Sequence, residues 1–499
     1  MTPEQIWEAA TPAERRLAGV ALNPAAPVDV LLRLLAGESA AVRMVLCRDR
    51  PLPGAVVDAV VDHPDRYTRS FLARNPYADP EQRARLVDDP EWFVRAHLAE
   101  APRADDVCRP RPLPDRTVVR IIDTYENEWV GTGLLLQMSP GFRSSMATHP
   151  VAKVRSMGSG FWESLTPRVR AALLADDDPG VRESAARHQG AYERLRDPDA
   201  VREDLPAHSC HARHHLLMYG ALAPDVVAGA LAEDAWLIAG NATTPAAMVT
   251  VLAGHPDPEV RTRVAERADL GAAERRALAV DPDPGVRLAL SVHPALSEAE
   301  RAAIDYEVTQ EESYGHHACG FPVPVPPDAD RLRRDALSAH PLLRRRAAAA
   351  PALPADLVAL LADDEDLGVR VLLCQNHPGA PAALLLRSFL EYTGRDRWHL
   401  TRHRDFPRQG LARFAADEDP AVRRLALSDA GLAPGPADRL TRDPDPRVRA
   451  DAARHPGLPQ GRIAELLDDE ELAHRAAANP ALPAATMYAL LATAGERRP

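Results

Sequence analysis

Along most of the chain the apolar positions come in short groups, and prolines bound them. In "DPDPRVRADAARHPGLPQGRIAELLDD" (443–469), Val448, Ala452 and Ala453 share one face of a short helix. Asp-Pro-Asp-Pro before them supplies an N-cap carboxylate and a proline whose φ already suits a first helical turn. The His-Pro or Asn-Pro pair that follows stops the helix, because the residue before proline is pushed out of the α region. "LP" then opens a second short helix, as in "LPAATMYALL" (482–491) with its Leu, Met and Leu spacing. Neither helix is long enough to stand alone, so each unit must stack on its neighbours.

The pattern recurs. Near relatives are "HPDPEVRTRVAERADLGAAERRALAVD" (255–281), "DPDPGVRLALSVHPALSEAERAAI" (281–304) and "DEDPAVRRLALSDAGLAPGPADRLTRD" (417–443). The arginine of the Val-Arg pair acts as a ruler: Arg43, Arg69, Arg95, Arg155, Arg182, Arg261, Arg287, Arg344, Arg370, Arg423 and Arg449. Six of the ten steps between them are 26 or 27 residues. The longer gaps leave room for degenerate copies near Gly131, Arg213, Ile238, Gly315 and Arg397, with terminal copies near Arg16 and Ala473. About eighteen units then account for nearly the whole chain.

The pattern "DPDPxVRxxxAxxPxLPxxxLxxL" resembles the leucine-rich repeat variant family. It is also similar to HEAT-like repeats, whose Asp and Val-Arg positions match Asp445, Val448 and Arg449. The resemblance covers most of the chain. It implies an all-α, right-handed superhelical solenoid of about eighteen two-helix repeats of 24–27 residues, mixing α and short 3-10 helices, continuous over 1–499. Such repeats mostly provide surfaces. The founding protein of that family also carries an N-terminal iron–sulfur cluster held by clustered cysteines. Here only Cys47 lies in the first hundred residues, so that cluster is not carried over and no cofactor is expected.

Composition narrows the picture. With 45% hydrophobic but only 5% aromatic residues, the core is built from Ala, Val and Leu between closely approaching helices. A net charge of −12 disfavours general nucleic-acid binding, which needs a basic surface to displace counterions. Lys153 is the sole lysine among 60 basic residues, a bias that GC-rich coding explains without function. No secretion signal or stretch of 18 apolar residues is present, so a cytoplasmic protein with no membrane span is expected. Five widely spaced cysteines read as reduced thiols, with Cys47 and Cys374 at small, buried repeat positions.

Candidate chemistry is sparse. The ruler arginines either pair with an Asp of their own or the adjacent Asp-Pro turn, which is the favoured reading, or line a phosphate groove. "HSCHARHH" (208–215) places His211, His214 and His215 one turn apart, the spacing of a Zn²⁺ or Ni²⁺ set if the helix begins early enough. His214 and His215 follow Arg213, at tolerant surface positions. His316 and His317 hold the same register four repeats on. No nucleophile elbow, Walker loop or His-Glu-x-x-His is present.

Function should sit where repeats break the rule, near 103–130, 188–212, 304–335 and 387–410. The last contains "RDRWHLTRHRDFPR" (395–408), where Arg397, Trp398, Arg402 and Arg404 could meet an acidic partner, or where Trp398 and Leu400 pack inward. The expected function is a non-catalytic repeat scaffold that binds a protein partner through its concave face and irregular inserts, His316, His317, Arg397, Trp398, Arg402 and Arg404 among its contacts. Two alternatives stay open. One is a nucleic-acid binder, related to HEAT-like DNA glycosylases, using Arg-rich segments. The other is a metal-dependent protein using His211, His214 and His215.

Overall fold

A computed structural model of the chain describes residues 2–100, 102, 111–125, 132–311, 314, 328–350 and 352–496. Every regular element among them is helical, and no strand occurs among them. Short 3-10 helices, such as Ser159–Ser164 and Arg397–Arg402, interrupt the α-helices.

The helix Pro446–Ala453 shows how the sequence builds a unit. Asp445 caps it, accepting from the amides of Arg447 at 2.8 Å and Val448 at 3.1 Å, and Pro446 occupies the first turn. Such a cap contributes about 1 kcal/mol. Val448, Ala452 and Ala453 are fully buried. A turn around His455 leads to the helix Gln460–Leu466, which buries Ile463 and Leu466. Helices of seven or eight residues are marginal in water, so this packing is what holds them.

The ruler arginines stitch each unit to the next. The Arg69 guanidinium donates through Nε and Nη2 to Asp89, 20 residues on, at 2.7 and 3.1 Å. Its Nη1 donates to the carbonyls of His63 and Pro64 in its own turn. Arg155–Asp176, Arg261–Asp281, Arg344–Asp364 and Arg423–Asp443 repeat the two-pronged pair. Arg370 and Arg449 use Glu391 and Glu471 instead. The arginines therefore turn onto the adjacent Asp-Pro turn. Burial raises the cost of ionising Asp281, but Arg261 and the Asp283 amide outweigh it and hold its pKa below the ordinary carboxylate value.

A second ladder lies beside the first. In several units the residue that closes the first helix reaches back to carbonyls of the preceding unit. Asn75 donates to Cys47 and Arg50, Asn241 to Leu217 and Gly220, Arg267 to Ala239 and Asn241, and Asn479 to Ala453 and His455. His293 and His455 contact the carbonyls of Arg267 and Asp429 through Nε2. The sequence reading took His-Pro and Asn-Pro only as helix stops. Their side chains are also inter-repeat connectors.

The residues group into two compact units. The first contains Met1–Ser145 and Pro407–Pro499, the two ends of the chain. Within it, the helix Pro12–Leu22 packs against both Ala473–Ala477 and Ala40–Arg48. Asn23 donates to the carbonyls of Ala477 at 3.0 Å and Asn479 at 2.6 Å, the contact Asn479 itself makes one unit earlier. The N-terminal repeat thus follows the C-terminal one in register. Gly19 makes the approach possible, since a Cβ there would lie 2.1 Å from the His474 carbonyl oxygen. The second unit contains Met146–Gly315 and Pro322–Phe406. There Pro258–Ala265 packs on Pro284–Ser291, and Pro341–Ala348 on Leu367–Asn376.

Candidate functional site

The strongest departure from the repeat rule lies in the second unit. Asp178 caps a first helix in the ordinary way, accepting from the Val181 amide at 3.1 Å, and Val181 and Ala185 fill the core. Where the unit at 443–469 has His455-Pro456, this one reads His188-Gln189-Gly190. With no proline to expel residue 188 from the α region, the helix continues to Arg196, spanning 18 residues as Pro179–Arg196. It ends at Asp197, which caps the next helix, Pro198–Asp204.

The extension carries Tyr192 between two guanidinium groups, Arg196 at 3.5 Å and Arg170 at 4.8 Å from the ring centroid. A cleft opens on either side of this ring. One, of about 270 Å³, lies between Tyr192 and Trp162, with Arg170, Gln189 and Glu193 at its edges. The other, of about 410 Å³, lies between Tyr192 with Leu195 and His215 with Leu216. Arg194 and Asp204 stand at the second cleft as a two-pronged pair at 2.8 and 2.7 Å. The hydrogen bond from Arg194 holds the Asp204 carboxyl below its ordinary pKa. The Ala221 amide donates to the Leu195 carbonyl at 2.8 Å and ties the extension to the following unit.

His215 is therefore a cleft residue. It is exposed, and its ring lies 5.2 Å from that of Tyr219. The helix His211–Tyr219 does begin early enough to include His211. The three histidines nevertheless do not converge as a ligand set: His214 Nε2 meets Ser209 Oγ at 3.0 Å, while His211 is exposed at the first turn. No group of three His, Cys, Asp or Glu residues able to hold a metal occurs among the described residues. Arg213 anchors its unit as the register requires, pairing with Asp234 at 2.8 Å, and Leu217 is fully buried.

The basic stretch 395–408 is split by its packing. Arg397 is buried, donates from Nε to the Phe389 carbonyl at 2.5 Å and lies over the Phe389 ring. Trp398 packs edge-on against Phe389 at 5.2 Å, and Leu400 is fully buried. Arg397 therefore serves the interior, a correction to its expected partner contact; Trp398 is half-buried, in line with the inward-packing alternative, and Arg402 and Arg404 are exposed. His316, His317, Cys108 and Cys319 lie outside the described residues. Cys47 and Cys374 are buried, and burial pushes the Cys374 thiol up to about 12, so neither is a thiolate at neutral pH.

The paired clefts were not anticipated as such, although 188–212 was marked as irregular. The missing proline after His188 was the available signal. No helix among the described residues is long and apolar enough to cross a membrane. No family model matches the chain, and no curated protein matches it.

Proposed function

We propose that the chain is a non-catalytic α-solenoid of the leucine-rich repeat variant or HEAT-like kind, which binds a protein partner at the clefts flanking Tyr192. The observation that carries this reading is the run-on helix Pro179–Arg196, which opens two partly apolar clefts in an otherwise regular array. Clefts of this size accept side chains of a peptide segment, with Tyr192 and Leu216 as an apolar wall and Arg194, Asp204 and Glu193 as polar rims. Aromatic and arginine side chains at such a site are the usual anchors of protein recognition. The same structure weakens the nucleic-acid alternative, because the ruler arginines spend their charge on neighbouring carboxylates and do not form a free groove.

A photo-crosslinking residue placed at position 192 tests the reading, with one at exposed Val280 as the control. In cells of the source organism, the expected result is a discrete protein adduct at 192 that is absent at 280. The adduct should disappear when Leu216→Glu fills the apolar wall with charge. Equal adduct patterns at the two positions, or adducts only with nucleic acid, would overturn it.

A further inference from the structure

The first unit holds a group of guanidinium ions that the two ladders do not use. The helices Pro420–Ala426, Pro446–Ala453, Ala473–Ala477 and Pro12–Leu22 stack in that order. The contacts His455 to Asp429, Asn479 to His455 and Asn23 to Asn479 keep them in register. These helices and their ends carry Arg424, Asp451 with Arg454, His474 with Arg475, and Arg15; the charges of Arg15, Arg454 and Arg475 all reach His474, and those of Arg424, Asp451 and Arg454 reach Arg475. One ion pair is made there, Arg424 Nε to Asp451 Oδ2 at 2.7 Å.

The other three arginines make no ion pair among the described residues, although the Asp451 charge reaches Arg475. Arg475 is half-buried, and its Nε is shielded from solvent with no hydrogen-bond partner. Arg454 is exposed and makes no side-chain hydrogen bond or ion pair among the described residues. Arg15 lies over the Trp7 ring at 5.7 Å. Its Nη2 reaches only the carbonyls of Trp7 and Glu8, at 3.5 and 3.4 Å, and its Nε is buried without a partner. The Trp7 ring in turn lies edge-on to His474 at 5.7 Å. Burial and the neighbouring Arg454 pull the Arg475 pKa down, with Asp451 opposing. Burial and the charges of Arg475, Arg15 and Arg454 push His474 down to about 4, against a hydrogen bond to the Glu471 backbone, so its imidazole is neutral at pH 7.

Like charges brought together on a folded surface repel, and in a chain of net charge −12 their grouping is not a by-product of overall basicity. A monoanionic carboxylate would leave most of that charge uncompensated. A tetrahedral dianion offers acceptors to guanidinium groups arriving from several directions, the geometry at which arginine excels. We propose that Arg15, Arg454 and Arg475 form a binding site for an oxyanion of the phosphate class, either the free ion or a phosphate monoester, with neutral His474 beside it. The site spans the seam between the two chain ends, so an anion held there clamps the N-terminal repeat to the C-terminal one. This inference does not depend on the partner reading of the Tyr192 clefts.

Calorimetric titration of the full-length protein with inorganic phosphate, and separately with phenyl phosphate, tests it in low-salt chloride buffer. Saturable binding of phosphate is expected, at least tenfold weaker in Arg454→Gln and in Arg475→Gln. Arg447→Gln, an exposed position on the same helix, should bind as the unmodified protein does. Arg454 is exposed, so its variant keeps the test valid even if Arg475→Gln unfolds. Phenyl phosphate bound as tightly as phosphate identifies a site open to esters, and tenfold weaker binding identifies a free-ion site; either outcome supports the proposal. Heats no larger than those of chloride at matched ionic strength, or equal affinity in Arg454→Gln, would overturn it.

Discussion

The unit at 443–469 and the unit at 176–204 begin alike and end differently. Both open with an Asp-capped helix carrying Val and a ruler arginine, Arg449 in one and Arg182 in the other. At the sixth residue after that arginine both have histidine. In the first unit Pro456 follows, the helix stops at Ala453, and His455 turns back to the Asp429 carbonyl. In the second Gln189 follows, the helix runs on, and His188 Nδ1 instead meets Ser159 Oγ at 2.9 Å. Arg182 likewise contacts only the carbonyls of Asp176 and Asp177, where Arg449 also reaches Glu471. The two units thus diverge at the residue after the histidine: one is consumed in stacking, and the other carries its helix on to the clefts beside Tyr192.

The largest expected effect tests what the regular units share. Asp89→Ala leaves the Arg69 guanidinium, whose side chain is 8% exposed, without its carboxylate and also removes the acceptor for the Glu91 amide. A loss of about 3–5 kcal/mol is expected, read as a shift in the urea midpoint. If the loss is below 1 kcal/mol, the ladder is not what joins the units.

Reinstating the stop in the irregular unit comes next. Gln189→Pro removes a backbone donor inside the helix Pro179–Arg196 and disfavours the α conformation at His188. A cost of about 3 kcal/mol is expected locally, seen as fast amide exchange over 190–196 with slow exchange retained over 180–187. Unchanged exchange over 190–196 would mean that the extension does not depend on the absent proline.

Histidine at a capping position gives a pH-dependent version of the regular unit. His340 caps the helix Pro341–Ala348 through Nδ1, accepting from the Leu342 amide, and is fully buried. Burial and the nearby Arg301 charge lower its pKa from 6.5 to about 4. The unfolded chain therefore binds more protons than the folded chain between these values, and stability falls as pH drops from about 6.5 toward 4. The expected loss is about 3 kcal/mol by pH 4, and His340→Gln should flatten that part of the stability profile. The smallest effect belongs to the second ladder. Asn479→Ala strands the carbonyls of Ala453 and His455 and should cost about 1–3 kcal/mol in thermal unfolding of the first unit.

Much of the local structure was legible from spacing. Asp-Pro before Val-Arg predicted the caps, and the ruler identified Arg213 as an anchor although no valine precedes it. The pairing of Arg69 with Asp89 followed from their recurrence together. Reading failed where one residue has two uses. His455 and Asn479 looked like stops because the proline beside them acts locally, whereas their hydrogen bonds cross about 25 residues to another unit. The stretch around Arg397 and Trp398 reads either as a basic surface or as an inward-packing repeat, and Phe389, eight or nine residues earlier, takes Arg397 inward with Trp398 against it.

By itself, the sequence determined that this chain is a string of short capped helices with a repeating apolar face, because caps, proline stops and period all act within a few residues. Tertiary structure alone decided that the first repeat stacks on the last, that two clefts flank Tyr192, and that the charges of Arg15, Arg454 and Arg475 all reach His474. Each of these depends on side chains from separate units meeting across a packed interface, and no local rule encodes which units meet.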